Sequence, residues 1–335
     1  MFYIRTDVND QIGLGHLMRC LAIADALHDR GEETVFLLSD EEAVKLLTER
    51  GYRYVVLQTH WNKMEAELPA LRQLIYDMHI DKLLIDSYQV TENYFKELSK
   101  EVTTIYVDDL GTAVYQTDAI ICYANYWRRL HYDRYPQEVR CLVGLQYVPL
   151  RPVFWNCPQK KVEKQVKNLL LLSGGTDPCN ALGQILRGLR RQKYEKIWVM
   201  CGRYNRNGRQ LKLQYQQETN VMICTDVSEV EDYMAKADVA ISAGGTTLYE
   251  LCAFGVPTIS YSFAQNQWDN VRQFEEDGLI DYAGDMRERG TVEKIQTKLE
   301  TYEMNEQLRI ARAQKMQQMI DGMGALRLAE LLIQI

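Results

Sequence analysis

A histidine directly follows a glycine-rich loop near the start of the chain, in the stretch DQIGLGHLMRC at residues 10–20. His16 stands where a helix is predicted to begin, and the positive end of a helix disfavours an imidazolium, which keeps the ring neutral near pH 7. A neutral imidazole is the form that a general base needs. The alternative is a partly buried histidine that only satisfies the helix terminus. We predict that His16 is a base and that Gly13 and Gly15 contact substrate.

Three aspartates could orient this histidine or a bound substrate. Asp7, Asp86 and Asp109 each lie at or just after a short apolar run that predicts a strand. Asp86 ranks first and is assigned to the catalytic set with His16, because a carboxylate that ends an apolar strand costs free energy unless it has a partner. The predicted substrate contacts of this half of the chain are completed by Arg5, Asp7, Tyr88 and Asp109.

Two glycine loops in the second half carry a phosphate-binding signal. In SGGTDP, at 173–178, Asp177 suits a helix N-cap and Pro178 the first helical position. In SAGGTT, at 242–247, a helix begins at Thr246 or Thr247. Backbone amides at two helix N-termini can bind a diphosphate, and neither loop has the P-loop pattern of a nucleotide triphosphatase. The predicted substrate contacts of these strand ends and loops are Gly174, Gly175, Thr176, Gly202, Val227, Ala243, Gly244, Gly245, Thr246 and Glu250.

Glu250 has two interpretations that the sequence leaves open. With Thr247 it fits a capping box, in which the glutamate reaches back to the start of the helix. It also lies one turn into a helix that would face a nucleotide, where it could accept hydrogen bonds from ribose hydroxyls. A single glycine of the neighbouring loop has a similarly plain alternative, since a strand-to-helix turn often needs glycine for its backbone conformation alone.

Short apolar runs alternate with amphipathic segments along the chain, which predicts parallel, doubly wound α/β sheets. A helix is predicted from near His16 to Gly31, another over 64–78 and a third from Pro178, and only helix is expected after 262. The pattern breaks over 125–165. We predict two Rossmann-like domains, 1–155 and 156–335, with a linker near 150–161, a helical tail in the second domain, and a cleft between the domains as in the GT-B fold.

The unusual residues cluster where predicted strands end, which is where an open α/β sheet binds its ligand. The clusters are NDQIGLGH, DSY at 86–88, DD at 108–109, SGGTDP, CGR at 201–203 and SAGGTT. Six such clusters on one edge of two sheets exceed what turn chemistry alone would produce.

Composition narrows the classes of partner. The net charge of −7 argues against a nucleic-acid partner, because phosphate backbones select basic surfaces. Eight cysteines without a C-x-x-C pair, a start that lacks the order of a signal peptide, and the lack of a long apolar run together predict a cytoplasmic protein without membrane insertion. The histidines show no metal-ligand spacing, so neither a metal nor a cofactor is expected, and a monomer or weak dimer is predicted.

The chain resembles the UDP-sugar hydrolases of pseudaminic acid biosynthesis and the spore-coat polysaccharide biosynthesis proteins over about residues 1–285. The resemblance rests on seven stretches in order: RTDVNDQIGLGHLMRC, DSY, VDDL, GLQYVPLRPVF, SGGTDP, SAGGTTLYELCAFGVP and NQ at 266–267. It implies that His16 activates water, that Gly244, Gly245 and Glu250 bind UDP, and that Asn266 and Gln267 approach the sugar. Ser87 departs from the histidine usual after the aspartate in that family.

The sequence therefore predicts metal-independent, inverting hydrolysis of a UDP-linked deoxy amino sugar at its anomeric carbon. The resemblance implies a place in nonulosonic acid or surface polysaccharide biosynthesis. Two alternatives remain. One is a GT-B glycosyltransferase, in which His16 would deprotonate an acceptor hydroxyl, and the other is a sugar-nucleotide binder without turnover.

Overall fold

The computed structural model describes residues 1–9, 11–202, 204–225, 227 and 229–335 of the chain. Asp10, Arg203, Asp226 and Ser228, which fall within stretches used above, lie outside the described residues. The chain forms two compact units, Met1–Trp155 with Met323–Ile335 (unit 1) and Asn156–Gly322 (unit 2). Each unit contains one all-parallel sheet with helices, which confirms the predicted α/β class.

Unit 1 is built on a seven-stranded sheet with the order β3-β2-β1-β4-β5-β6-β7. Its strands are β1 (Phe2–Thr6), β2 (Thr34–Leu38), β3 (Arg53–Val56), β4 (Lys82–Asp86), β5 (Thr103–Val107), β6 (Ala119–Cys122) and β7 (Arg140–Val143). Its first helices are α1 (Gly15–Asp29), α2 (Val44–Glu49), α3 (Met64–Met78) and α4 (Glu92–Leu98). The central strands are apolar on both faces because helices cover the sheet; β1 and β2, for example, are buried along their whole length.

Unit 2 is built on a six-stranded sheet with the order β10-β9-β8-β11-β12-β13. Its strands are β8 (Asn168–Leu172), β9 (Lys196–Cys201), β10 (Val221–Thr225), β11 (Val239–Ala243), β12 (Thr258–Ser262) and β13 (Asp281–Asp285). Its helices are α5 (Ala181–Gly188), α6 (Gly208–Gln214), α7 (Glu231–Lys236), α8 (Thr247–Ala253), α9 (Trp268–Glu276), α10 (Thr291–Met304) and α11 (Glu306–Met319).

Both sheets reverse their strand order next to their first strand. In unit 1, β1 pairs with β2 on one side and β4 on the other, and in unit 2, β8 pairs with β9 and β11. Such a reversal is a topological switch point, where loops that leave the strand ends diverge and open a crevice. The loops after β1 and β4 in unit 1, and after β8 and β11 in unit 2, are therefore the places to examine for a site.

The structure differs from the sequence prediction in several elements. Strands β6, β7 and β13 were not predicted, since β6 and β7 have only four residues each and β13 reads DYAGD, without an apolar run. The last helix, α12 (Gly324–Gln334), belongs to unit 1 rather than to the second domain, because its apolar face, which includes Leu328 and Leu332, is buried where α12 packs on α1. Over the described residues, no helix combines the length and apolarity needed to cross a membrane.

Candidate active site

His16 lies at the switch point of the unit 1 sheet and contacts a buried carboxylate. It is the second residue of α1, its side chain is 6% exposed, and its Nδ1 lies 2.6 Å from Oδ1 of Asp86. Asp86 is the last residue of β4 and pairs in register with Thr6, the last residue of β1. The two side chains meet because α1 starts at the same edge of the sheet at which β4 ends.

The charge state of Asp86 determines which nitrogen of His16 carries a proton. Burial alone would raise the pKa of Asp86. The charge of Arg19, the charge that His16 carries when protonated, and the hydrogen bonds from both side chains outweigh burial and hold this pKa well below its usual range. An ionised carboxylate only accepts hydrogen bonds, so Nδ1 of His16 must donate. This tautomer leaves the lone pair on Nε2, which is the atom that a general base uses.

Arg19, one turn after His16 on α1, organises the rest of this cluster. Its Nε lies 2.6 Å from Oδ2 of Asp86 and its Nη2 lies 2.5 Å from Oδ1, a bidentate ion pair. Its Nη1 donates to Oδ2 of Asp109 at 2.8 Å and to the hydroxyl of Tyr123 at 2.9 Å. Arg19 is 7% exposed, and although its burial alone would lower the pKa, the surrounding carboxylates raise it well above the ordinary value.

Tyr88 forms the exposed wall of this cluster. Its ring meets the His16 ring edge-on with 4.4 Å between centroids, and its hydroxyl donates to Oδ2 of Asp109 at 3.1 Å. Burial raises the pKa of Tyr88, and Asp109 raises it further, so the hydroxyl stays protonated. A small cavity beside His16 is lined by Asp7, Ile12, His16, Trp61, Asp86, Ser87, Tyr88 and Gln89.

Arg5 was predicted to contact substrate, but the structure places it inside unit 1. It is fully buried, with Nε and Nη2 at 2.9 and 2.7 Å from the two carboxylate oxygens of Glu67. Its Nη1 forms an ion pair with Oδ2 of Asp7 at 2.7 Å, and Tyr94 donates to Glu67 at 2.7 Å. A guanidinium with these partners holds the end of β1 in place, and Asp7 alone of this group reaches the cavity beside His16.

The loop before α1 is shaped by its own residues. The Asn9 side chain accepts hydrogen bonds from the amides of Gln11 and Ile12, at 2.9 and 3.0 Å, and the amide of Gly13 donates to the Asn9 carbonyl at 2.8 Å. Gly13 has a φ of +72°, a conformation that favours glycine, so turn chemistry explains it without a ligand. Gly15 is the exposed first residue of α1, and a Cβ there would meet no atom within 4 Å.

In unit 2, the loop after β8 does not present a free helix terminus. The sequence placed the N-cap of α5 at Asp177 and its first residue at Pro178, whereas the helix begins at Ala181 after an N-cap at Asn180. The Asp177 carboxylate accepts hydrogen bonds from the amides of Ala181, at 2.6 Å, and Leu182, at 3.1 Å. Two amides at this helix N-terminus are therefore already satisfied by a protein carboxylate, whose pKa is raised by burial.

Close backbone packing accounts for Gly202, which the sequence analysis assigned to the substrate. A Cβ on Gly202 would lie 2.2 Å from the carbonyl oxygen of Gly174 and 2.8 Å from Cα of Gly175. Gly202 thus lets the end of β9 approach the loop after β8. Gly174, Gly175 and Thr176 are themselves exposed, and a Cβ on either of these two glycines would meet nothing within 4 Å.

The loop after β11 is held by a buried asparagine that the sequence analysis did not single out. Asn270, on α9, donates to the carbonyl of Gly244 at 3.0 Å and of Gly245 at 3.4 Å, and accepts from the hydroxyl of Tyr249 at 2.9 Å. A Cβ on Gly244 would lie 2.2 Å from Cγ1 of Val271, whereas one on Gly245 would enter open space. Gly244 is needed for packing, and Gly245 borders space that a ligand could occupy.

Helix α8 starts at Thr247, which corrects the predicted capping box. Its N-cap is Thr246, whose side chain makes no capping hydrogen bond, so Thr247 is the first helical residue rather than the cap. Glu250 is half-buried in the first turn. Ala243 is buried at the end of β11, and Val227 is half-buried after β10.

The predicted sugar-side residues follow β12. Asn266 is exposed, and Oε1 of Gln267 accepts from the amide of Phe263 at 3.0 Å, which fixes the turn that leads into α9. Among the residues that the structure describes, no group of three or more His, Cys, Asp and Glu side chains could hold a metal ion. Arg19 is the main residue missed in unit 1; its spacing of three from His16 on a predicted helix was the available signal.

Comparison with known proteins supports this fold. A family model described as the glycosyltransferase family 28 C-terminal domain matches residues 169–326. The chain is 23% identical over 334 residues to the spore coat polysaccharide biosynthesis protein SpsG of Bacillus subtilis, covering 96% of this chain and 94% of that protein. It is 25% identical over 272 residues to an uncharacterized protein of Methanocaldococcus jannaschii, covering 76% of this chain but about half, 54%, of that relative.

Solved structures give the same result for the architecture. The crystal structure of MurG from Acinetobacter baumannii superposes with a TM-score of 0.71 at 13% identity, covering 100% of this chain and 99% of that one. At this identity the likeness concerns the fold alone. Together with the two parallel-sheet units, it confirms the predicted GT-B glycosyltransferase-like fold.

Proposed function

We propose that the protein hydrolyses a UDP-linked deoxy amino sugar at the anomeric carbon, with inversion and without a metal ion. One observation carries this proposal: Nδ1 of His16 is held at 2.6 Å by the ionised Asp86, at the switch point of the unit 1 sheet. A histidine that only capped a helix would not need a buried carboxylate fixed by a bidentate arginine. The sequence resemblance to UDP-sugar hydrolases supports the same role for His16.

The proposed reaction transfers one proton to His16. Nε2 accepts a proton from water while the water oxygen bonds to the anomeric carbon, and the electron pair of the carbon–oxygen bond leaves with UDP. Attack on the face opposite the leaving group inverts the anomeric configuration, as in inverting glycosidases that activate water with a base. UDP is a good leaving group, so the reaction does not require a dedicated acid on the departing oxygen.

The proposal assigns the nucleotide to unit 2, in which the family 28 C-terminal match lies. The amide of Gly244 already donates to the carbonyl of Tyr261 at 2.9 Å, so Gly245 is the glycine that would direct its amide toward the diphosphate, and Glu250 would accept hydrogen bonds from the ribose. Because Asp177 already occupies two amides at the start of α5, the loop after β11 is the better diphosphate site.

The test is UDP release in ¹⁸O-water, in the absence of any acceptor, from a panel of UDP-linked amino sugars. We expect the label in the free sugar, with inverted configuration in the first product seen by NMR. His16→Ala should lose about 10²–10⁴-fold in turnover yet still bind UDP in calorimetry. His28→Ala is the matched control, since His28 is an exposed residue of the same helix. Normal turnover in His16→Ala, or label in the phosphate, would overturn the proposal.

A glycosyltransferase is the second candidate, favoured by the family model that matches residues 169–326. In that case His16 would deprotonate an acceptor hydroxyl, and UDP release would depend on added acceptor. A binder without turnover would show UDP affinity and no release under either condition. UDP release without acceptor therefore distinguishes the hydrolase from the other two functions, and release on addition of acceptor distinguishes the transferase from the binder.

A further inference from the structure

The cluster around His16 holds more negative than positive side chains once the imidazole is left out. Asp86 and Asp109 are two carboxylates, and Arg19 is the guanidinium that bridges them. Oδ1 of Asp86 faces His16 and Arg19, and Oδ2 faces Arg19 and the thiol of Cys20 at 3.3 Å. The Asp86 side chain is fully buried, so water cannot replace the hydrogen bonds that His16, Arg19 and Cys20 donate to it.

Removing the arginine charge would change the state of the imidazole. A buried carboxylate without a counter-charge is strongly disfavoured, and His16 is the neighbour at 2.6 Å that can take up a proton. In a Ser-His-Asp triad the aspartate has no such arginine and stabilises the imidazolium. Here Arg19 already supplies a permanent positive charge to Asp86 through two contacts of 2.5 and 2.6 Å.

We propose that Arg19 is a positioning residue that neutralises and fixes Asp86, so that Asp86 orients the His16 ring through its Nδ1 proton. This inference rests on the proposed role of His16 as a base. Arg19 also blocks rotation of Asp86, because its fork engages both carboxylate oxygens.

The charged and titratable groups that face His16 are few in the described structure. Arg19 lies on the same helix as His16, and its Nη2 is 3.0 Å from Nδ1 of that ring. Asp86 lies at the end of β4, Tyr88 lies just after it, and Asp7 borders the same cavity from the end of β1. Asp7 is paired with the buried Arg5 at 2.7 Å, so this pair adds little net charge.

The groups behind Arg19 form the second set. Asp109 and Tyr123 contact its Nη1, at 2.8 and 2.9 Å, and Cys20 contacts Asp86. Burial raises the pKa of Tyr123 to about 12 and that of the Cys20 thiol well above its ordinary value, so both stay neutral. The net charge next to His16 is therefore determined by Arg19, Asp86 and Asp109.

This balance gives two substitutions opposite signs. Arg19→Met removes the positive charge and keeps a long side chain, so the His16 ring should take up its proton at a pH higher by about one to three units. Asp109→Asn removes a negative charge that competes for Arg19, so the ring should take up its proton at a lower pH. Arg19→Lys keeps the charge but loses the fork and should shift this pH far less than Arg19→Met.

The experiment is an NMR pH titration of the ¹⁵N-labelled histidine rings in the full-length, ligand-free protein. The His16 signals are assigned by their loss in His16→Ala, and His28 serves as an internal reference. The wild type should show the Nδ1–H tautomer, and the two charge variants should shift in opposite directions. Equal titration in all variants, or shifts of the same sign, would overturn the inference.

Folding and function are controlled separately. If circular dichroism shows that Arg19→Met does not fold, Arg19→Lys and Asp109→Asn still test the inference. In Asp109→Asn the His16 ring should take up its proton at a lower pH than in the wild type, and in Arg19→Lys this pH should stay close to the wild-type value. The ring titration needs no turnover. If the titration of His16 shifts in opposite directions in the two charge variants but no donor releases UDP, the role of Arg19 is upheld and the hydrolase is refuted. If UDP is released but these titration shifts are absent, the hydrolase is upheld and the role of Arg19 is refuted.

Discussion

The two switch-point regions of the molecule differ in the chemical groups that form them. In unit 1, the region after β1, β4 and β5 consists of interlocked ionic side chains, with Arg19 in contact with Asp86 and Asp109. In unit 2, the region after β8 and β11 consists of glycine-rich backbone. A side chain from a neighbouring helix, Asn270, donates a hydrogen bond to the carbonyl of Gly244 and so fixes the loop after β11. The difference fits the two tasks of the proposed function, because the proposed base must be oriented to one atom, whereas the proposed diphosphate would be bound by amides.

The same contrast appears in one buried carboxylate of each unit. Asp86 is bound by a guanidinium, which overcomes burial and lowers its pKa. Asp177 is bound by the amides of Ala181 and Leu182, which do not overcome burial, so its pKa is raised. A carboxylate with a full counter-charge can tune a neighbouring histidine, while one that only caps a helix serves the fold.

The largest effect should come from Asp86, if unit 1 supplies the chemistry. Asp86→Asn replaces an acceptor with an amide that can donate to Nδ1 and favour the wrong tautomer, and the corresponding change in a Ser-His-Asp triad costs about 10⁴-fold in kcat. We expect a loss of about 10²–10⁴-fold in kcat with unchanged UDP affinity, measured by steady-state kinetics and calorimetry.

Tyr123→Phe is the matched control for Asp86→Asn. It removes one hydrogen bond of 2.9 Å to Arg19 and leaves both ion pairs of that arginine intact. Its kcat should stay within about tenfold of the wild type, a difference of about 1.4 kcal/mol. Equal losses in the two variants would mean that unit 1 responds to any disturbance, not to the orientation of His16.

The glycine pair of unit 2 should separate packing from binding. Gly244→Ala places a Cβ at 2.2 Å from Cγ1 of Val271 and should lower the free energy of unfolding by about 1–3 kcal/mol. Gly245→Ala points into open space and should leave stability unchanged while it weakens UDP binding about tenfold, or about 1.4 kcal/mol. Thermal unfolding and calorimetry measure the two effects. Unchanged UDP affinity in Gly245→Ala would remove the loop after β11 from the proposed site.

Asn270 should show a smaller effect on the same loop. Asn270→Leu leaves the carbonyl of Gly244 and the hydroxyl of Tyr249 without this partner, which should cost about 1–2 kcal/mol of unfolding free energy. UDP affinity should fall as the loop loosens, while kcat at saturating substrate changes little. Tyr249→Phe, which loses only the hydroxyl contact, should cost less, as denaturant unfolding can show. A fall in kcat without a change in affinity would contradict the division of tasks.

The repeating patterns of the sequence predicted the fold, but the sequence did not predict features that depend on contacts between residues far apart in the chain. The apolar runs of β1, β4, β8 and β11 and the glycines between strands and helices placed unusual residues at the strand ends, and the observed strand order shows which of these ends are switch points. Short strands such as β6 and the polar β13 carry too little pattern to be recognised. Likewise, no local signal shows that Arg5 is buried against Glu67, 62 residues away, because a long-range ion pair becomes visible only when the chain is folded.

The same distinction between local pattern and long-range contact applies to the residues of the candidate site. His16 and Asp86 were singled out because each is unusual in its own segment, a histidine after glycines and a carboxylate in an apolar strand, and the structure shows that the two side chains are in contact. Asp177 was placed as an N-cap by its position before proline, yet it caps α5 from three residues before the N-cap Asn180. Composition identified the residue types, and geometry decided which of them touch.

The smallest effect is a difference in acid response between the two units. The lowered pKa of Asp86 means that its stabilising contribution is fully present well above 3.8, its ordinary value, and is lost as the pH falls from there toward the folded-state pKa. The raised pKa of Asp177 has the opposite sign, since its folded form gains a proton first and is relieved of a buried charge as the pH falls toward 3.8. Hydrogen exchange at pH 5, 4 and 3 should therefore show protection in β4 falling before protection in α5, and Asp86→Asn should remove this order because it removes the titrating carboxylate. Loss of protection in α5 first would mean that burial, not the arginine charge, governs both carboxylates.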